Sequence, residues 1–227
     1  MKRILEGIIK IFYGFLLALF TIGISVIISL NFKFIYSFSI DKYNLDKIGQ
    51  VSKEILMKDY TTLINYLQNP FIDKLNFINF PMSNNGEFHF YEVKKIFLGI
   101  YIITFIIFIF FIVLFIIKKY KSKKIHIYKL FNYGANMLIF IIATLLSVIF
   151  INFSKAFIIF HKIFFNNDYW IFDERTDPII KVLPEEVFKL YTLVIISIII
   201  VAIFISKLYY YRKTYIKLNK KDKGISS

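Results

Sequence analysis

No cysteine occurs among the 227 residues. Disulfides, a thiol nucleophile and any thiolate-bound metal are therefore excluded. Acidic residues are scarce, 15 against 29 Lys and Arg, and the formal charge is +14. There are only three histidines and one tryptophan. No GxSxG elbow, HExxH pair or phosphate-binding loop can be found, so the sequence marks no serine hydrolase of that kind, no close-spaced zinc site and no nucleotide site. Above all, polar sequence is too scarce to cover a soluble domain, because 58% of the chain is apolar, with 28 Phe and 16 Tyr.

What is present is four long apolar runs, over residues 8–32, 96–117, 131–153 and 191–208. Each approaches or exceeds the roughly 20 residues that cross about 30 Å of hydrocarbon. The first run is longer than the apolar core of a signal peptide and no small-residue cleavage site follows it, so it reads as a retained span. Charge falls unevenly between the runs. Lys118, Lys119, Lys121, Lys123, Lys124 and Lys129 lie in the short loop 118–130, and from Lys207 onward seven basic residues stand against Asp222 alone. The connector 33–95 has eight Lys against seven acids, and 154–190 is acidic on balance. The positive-inside rule then places both termini, the loop 118–130 and the tail 209–227 in the cytoplasm, with both long connectors outside. The basic tail adjoins a span and belongs to no nucleic-acid-binding fold. Topology or contact with anionic lipid accounts for it, and no nucleic-acid partner is expected. The fold class expected is an all-α integral membrane protein: a single domain, a four-transmembrane-helix bundle with an extracytoplasmic cap formed by the two connectors.

The first connector is too long for a simple turn. From Leu45 to Gln68 it reads as one helix, with Ile48, Val51, Ile55, Leu63 and Leu67 near a single stripe and Pro70 as its stop. Ser83-Asn84-Asn85-Gly86 reads as a turn. The third run reads as a helix continuing to about residue 160. In the second connector, 173–178 reads as a polar turn, with Asp177 held out of helix by Pro178. Pro184-Glu185-Glu186 reads as a helix start, with acids at the positive dipole end. Only the last dozen or so residues read as disordered.

Two histidines are placed alike. His89 precedes the second run and His161 follows the third, equidistant in sequence from Ile125 at the centre of the hairpin loop. At 1.5 Å per residue, the two antiparallel helices rise about 44 and 45 Å to them. The imidazoles are therefore expected at one depth, near the outer headgroups, close enough to share a substrate if the helices pack directly. Imidazole exchanges protons near neutral pH, which suits acyl transfer. Three other readings stay open at this point: two unrelated interfacial histidines, a zinc site completed by Asp168, Asp173 or Asp177, and Ser83 or Ser154 as a nucleophile. His126 lies among lysines and reads as solvated. Phe88, Phe90, Tyr91, Phe164, Phe165, Tyr169 and Trp170 suit an interfacial aromatic belt, a lipid-chain groove, or both.

The segments PMSNNGEFHFYEVKKIF (81–97) and FHKIFFNNDYWIFDERTDPIIKVLPEEVF (160–188), with the span count and chain length, resemble the bacterial lipoprotein intramolecular transacylase (Lit) family of small four-span membrane proteins. The resemblance implies transfer of the sn-2 acyl chain of a diacylglyceryl-modified N-terminal cysteine to that cysteine's own α-amino group, at the outer leaflet, leaving a lyso-form lipoprotein. It makes His89 and His161 the catalytic candidates, with neither assigned as acid or base. Tyr91, Glu92, Asp168, Trp170 and Asp177 are the substrate-binding or supporting candidates. No metal or cofactor is expected, since ester aminolysis runs downhill. The expected partners are a diacylated lipoprotein and membrane lipids. The competing function is a non-catalytic membrane partner or assembly protein that binds lipoproteins or lipids through its outer cap. A transporter is disfavoured, because the spans carry few ionisable residues at mid-depth, where the third run offers only the modest polar marks Asn136, Thr144 and Ser147.

Overall fold

The computed structural model describes residues 2–120 and 126–222. Lys121, Lys123, Lys124 and the hairpin centre Ile125 lie outside the described residues, as do residues 223–227 of the segment read as disordered; its earlier part is helical, the end of the helix that reaches Asp222. Every regular element is helical among those described. In chain order they are α1 (Lys2–Asn31), α2 (Phe34–Tyr43), α3 (Leu45–Gly49), α4 (Lys53–Gln68), α5 (Asn84–Tyr120), α6 (Ile127–Ile151), α7 (Phe153–Phe164) and α8 (Glu185–Asp222), with a 3-10 turn at Pro178–Lys181 before α8. Among the described residues, four helices are long and apolar enough to cross a membrane: α1, α5, α6 and α8. Their outward residues, such as Ile103, Phe105, Phe140, Val201 and Phe204, are exposed, as lipid-facing side chains of a membrane protein are.

The chain divides into two compact units, and each of the four long helices contributes residues to both. One unit takes the chain up to Ser25, Ile103–Ser147 and everything from Ile195. Its helices meet through small residues. A Cβ on Gly14 would sit 2.9 Å from the Tyr133 carbonyl oxygen, and one on Gly134 would sit 2.8 Å from Leu17 Cβ. Helices in lipid gain from such close approach, because packing replaces the hydrophobic effect there. Lys207 Nζ on α8 donates to Asn132 and Asn136 on α6, at 2.9 and 2.5 Å. Thr144 and Ser147 donate to carbonyls of their own helix.

The other unit comprises Val26–Ile102 and Val148–Val194 and holds the main core. At its centre Tyr36 and Tyr60 stack at 4.2 Å. Tyr36 donates to the Val182 carbonyl at 3.0 Å, and the Tyr60 and Tyr191 hydroxyls share a 2.5 Å hydrogen bond. The buried Asp59 carboxylate accepts from the backbone N–H of Ile78 at 2.6 Å and of Asn79 at 3.3 Å. It thereby fixes the irregular chain that leads to α5.

Three local expectations change. The stretch 45–68 is two helices, because Gln50 takes a left-handed φ of 54° and Ser52 caps α4 through the Ile55 N–H. The buried face of α4 runs through Leu56, Asp59, Tyr60, Leu63, Ile64 and Leu67, while Ile48 lies half exposed on α3. Ser83-Asn84-Asn85-Gly86 is the start of α5, not a turn: Ser83 Oγ accepts from Gly86 N–H, the geometry of a helix cap. The third run breaks at Asn152, whose extended backbone ends α6 and whose side chain caps α7 through Lys155 N–H at 2.9 Å. His161 therefore rides on a separate helix.

Candidate active site

His89 stands in the second turn of α5 and His161 in the third turn of α7. Their ring centroids lie 6.0 Å apart, with planes inclined by 31°. Both are buried, at 7% and 8% exposure, so water reaches them poorly while a ligand could touch both.

The surrounding shell is aromatic. Phe165 meets His89 edge-on at 4.7 Å and lies 5.6 Å from His161, and Phe172 meets His89 at 5.5 Å. Phe157 meets His161 edge-on at 4.3 Å, and Trp170 stacks on it at 4.7 Å and 30°. Phe157 and Phe172 were not expected from the sequence. Phe157 lies one helical turn before His161, which is a readable signal once His161 is known to be helical. Phe172 had no such signal, because it arrives on an irregular loop.

The state of the His161 ring follows from one bond. Its Nδ1 lies 2.7 Å from the Phe157 carbonyl oxygen. A carbonyl only accepts, so Nδ1 carries the proton and Nε2 keeps a lone pair in the neutral ring. Burial lowers the His161 pKa below its ordinary value, and the Phe157 hydrogen bond opposes this. His161 is thus neutral near pH 7. His89 Nδ1 and Trp170 Nε1 are buried with no hydrogen-bond partner among the described residues.

The acidic candidates bond to other groups. Asp177 is 3% exposed, but its Oδ1 accepts from Ser83 N–H at 2.8 Å and its Oδ2 from Thr176 Oγ at 2.7 Å. It braces the start of α5 and bonds to neither imidazole. Asp168 is exposed, and its carbonyl closes a turn by accepting from Ile171 N–H. Asp173 chelates the Arg175 guanidinium, whose hydrogen bonds hold its carboxyl down to about 2. No group of three His, Asp or Glu converges among the described residues. Glu92, one turn beyond His89, receives the Asn167 amide on both oxygens at 3.1 Å, which ties α5 to the loop after α7. Tyr91 packs on Phe88 and under the Lys95 ammonium. Ser154 donates to Glu185 at 2.6 Å, and Ser83 is the helix cap already described, so neither serine is set against a histidine.

Comparison with known proteins is consistent across sequence and structure. The family model described as lipoprotein intramolecular transacylase Lit matches residues 11–188. The chain is similar to the membrane-integral lipoprotein intramolecular transacylase of Bacillus cereus, with 32% identity over 96% of this chain and 98% of that one, and a TM-score of 0.80. Two variants of the Bacillus cereus protein, with one histidine changed to arginine or to alanine, match at 29% identity over 96% of this chain and 96% or 97% of theirs, with TM-scores of 0.79. No curated protein matches.

Proposed function

The chain belongs to the lipoprotein intramolecular transacylase Lit family, and from that premise we propose that it moves the sn-2 acyl chain of a diacylglyceryl-modified N-terminal cysteine onto the same residue's α-amino group. It is an acyltransferase-type membrane enzyme that acts on lipoproteins. The observation that carries the finer reading is the pair of buried imidazoles 6.0 Å apart inside an aromatic shell.

The substrate amine must attack as the free base. His161 Nε2, the lone-pair nitrogen of a ring fixed by Phe157, takes the proton from the amine as its nitrogen adds to the ester carbonyl. A C–N bond forms, and the C–O bond to the glycerol sn-2 oxygen breaks. The proton passes by way of His89 to that departing oxygen. The products are an amide and a free glycerol hydroxyl, with no net gain or loss of protons. Donor and acceptor share one molecule, so the aromatic shell works by folding the head group into attack geometry, where effective molarity is large. Both termini are cytoplasmic and the site faces outward, a reading supported by the lysines that flank the second and third spans on one side.

The test is purified protein with a synthetic diacylated lipopeptide. The product has the substrate's mass, so tandem spectra must locate the acyl chain on nitrogen. His89→Ala and His161→Ala are each expected to abolish the product in folded protein. Full activity in both variants would sink the assignment.

A further inference from the structure

The site holds a donor that the histidine pair does not use. Trp170 is the chain's single tryptophan, and its indole is stacked on His161. Its Nε1 is buried without a hydrogen-bond partner among the described residues. A buried indole N–H normally finds an acceptor, since leaving it unpaired is costly. Three side-chain atoms share that condition among the described residues, and two of them, Trp170 Nε1 and His89 Nδ1, belong to this one site. Phe157, Phe165 and Phe172, which line the pair, have no side-chain acceptor to offer. A ligand carbonyl could supply the acceptor.

A diacylglyceryl cysteine brings a fitting one. The carbonyl oxygen of the migrating ester accepts a hydrogen bond in the ground state. It becomes an oxyanion when the amine adds, so a fixed N–H beside the base gains strength as charge develops. The stack on His161 puts the indole beside the ring that removes the proton, and stacking fixes the plane in which Nε1–H lies. Resting on the transacylase reading, we propose that Trp170 Nε1–H donates to the carbonyl oxygen of the transferring acyl ester and stabilises the oxyanion.

Because the tryptophan is unique, its indole N–H resonance can be read in isotope-labelled wild-type protein without assignment. Two lipopeptide analogues are compared, both with a dimethylated α-amine that cannot form a stable amide. They differ only in an ester or an ether at sn-2. The ester is expected to move the indole proton downfield and the ether to leave it near its unbound position. Equal shifts, or none, overturn the assignment. Trp170→Phe keeps a stacking ring and removes the donor. It is expected to lower kcat by about a hundredfold with KM within about threefold, and an unchanged kcat overturns the assignment. Conversion of the unmodified lipopeptide by wild type separates the two ideas. Conversion with equal shifts removes the Trp170 assignment alone, whereas no conversion removes the transacylase reading and this one together.

Discussion

His161 shows how a single backbone contact determines what a side chain can do. The Phe157 carbonyl selects the tautomer, and the shell of rings selects the charge. Burial depresses the pKa of the folded imidazole below its ordinary 6.5. Between those two values the unfolded chain binds more protons than the folded one. The stabilising effect of the neutral ring is therefore complete above about pH 6.5 and is lost as pH falls through the folded value. Thermal unfolding in detergent between pH 7.5 and 5 should show this acid loss, and His161→Gln should make it shallower. An equally steep loss in that variant would place the titration elsewhere. Asp177 is a second residue held by local hydrogen bonds. Asp177→Ala leaves the Ser83 N–H without its acceptor and should cost about 1–3 kcal/mol. Asp177→Asn keeps an acceptor oxygen and should retain most of the stability. The sequence made His161 conspicuous, because a histidine after an apolar run needs a reason. It also made Asp177 conspicuous, as a substrate-binding or supporting candidate. Its hydrogen bonds to Ser83 N–H and Thr176 could not be read, because one is to a backbone group 94 residues away.

At the scale of elements, the site depends on where helices start. α5 begins at Ser83-Asn84-Asn85-Gly86 and carries His89 in its second turn, while α7 begins at Asn152 and carries His161. Residues that favour turns also favour helix caps, since in both cases a short polar side chain satisfies a free N–H. The sequence showed that punctuation falls at 83–86 without showing which kind. The break at Asn152 was hidden by the apolar residues on either side, which read as one continuous helix. Asn152→Ala removes the cap and lets α6 and α7 join. About 100° of rotation accompanies each residue added to a helix, so His161 should turn away from His89. Activity is then expected to fall by more than about tenfold while helix content by circular dichroism stays the same or rises. Retained activity would mean that the break does not set the position of His161. Gly86 is the complementary case. A Cβ there would collide with the Asp177 carboxylate, so Gly86→Ala should destabilise the start of α5 by about 1–3 kcal/mol. A melting temperature equal to wild type would argue against it.

For the whole molecule, composition was the most legible signal. The four apolar runs correspond to α1, α5, α6 and α8, because length and hydropathy alone decide whether a segment can cross a bilayer. The partition of lysines is a further signal and can be checked without altering native thiols, since the chain has none. A cysteine at Asn166 should react with an impermeant maleimide in intact cells, and one at Lys213 only after permeabilisation. The reverse pattern would invert the topology. What the sequence withheld was the wiring of the main core. The Tyr36, Tyr60 and Asp59 contacts join an early connector to partners that neither periodicity nor charge predicts.

That wiring bears on how the protein is made. The hydrogen bond from Tyr36 to Val182 spans 146 residues, Tyr60 to Tyr191 spans 131, and Ser83 to Asp177 spans 94. A chain emerging from the ribosome N-terminus first has made α2, α4 and the start of α5 long before any of these partners exists. The first connector must wait, with the Tyr36 and Tyr60 hydroxyls and the Ser83 N–H lacking these partners, until the second has been made. Closure of such distant contacts is slow, because the loop entropy is lost before the contacts form. Assembly of the histidine pair is therefore among the last events of biogenesis. Nascent chains stalled before residue 177 should leave the first connector open to protease, and chains released at full length should protect it.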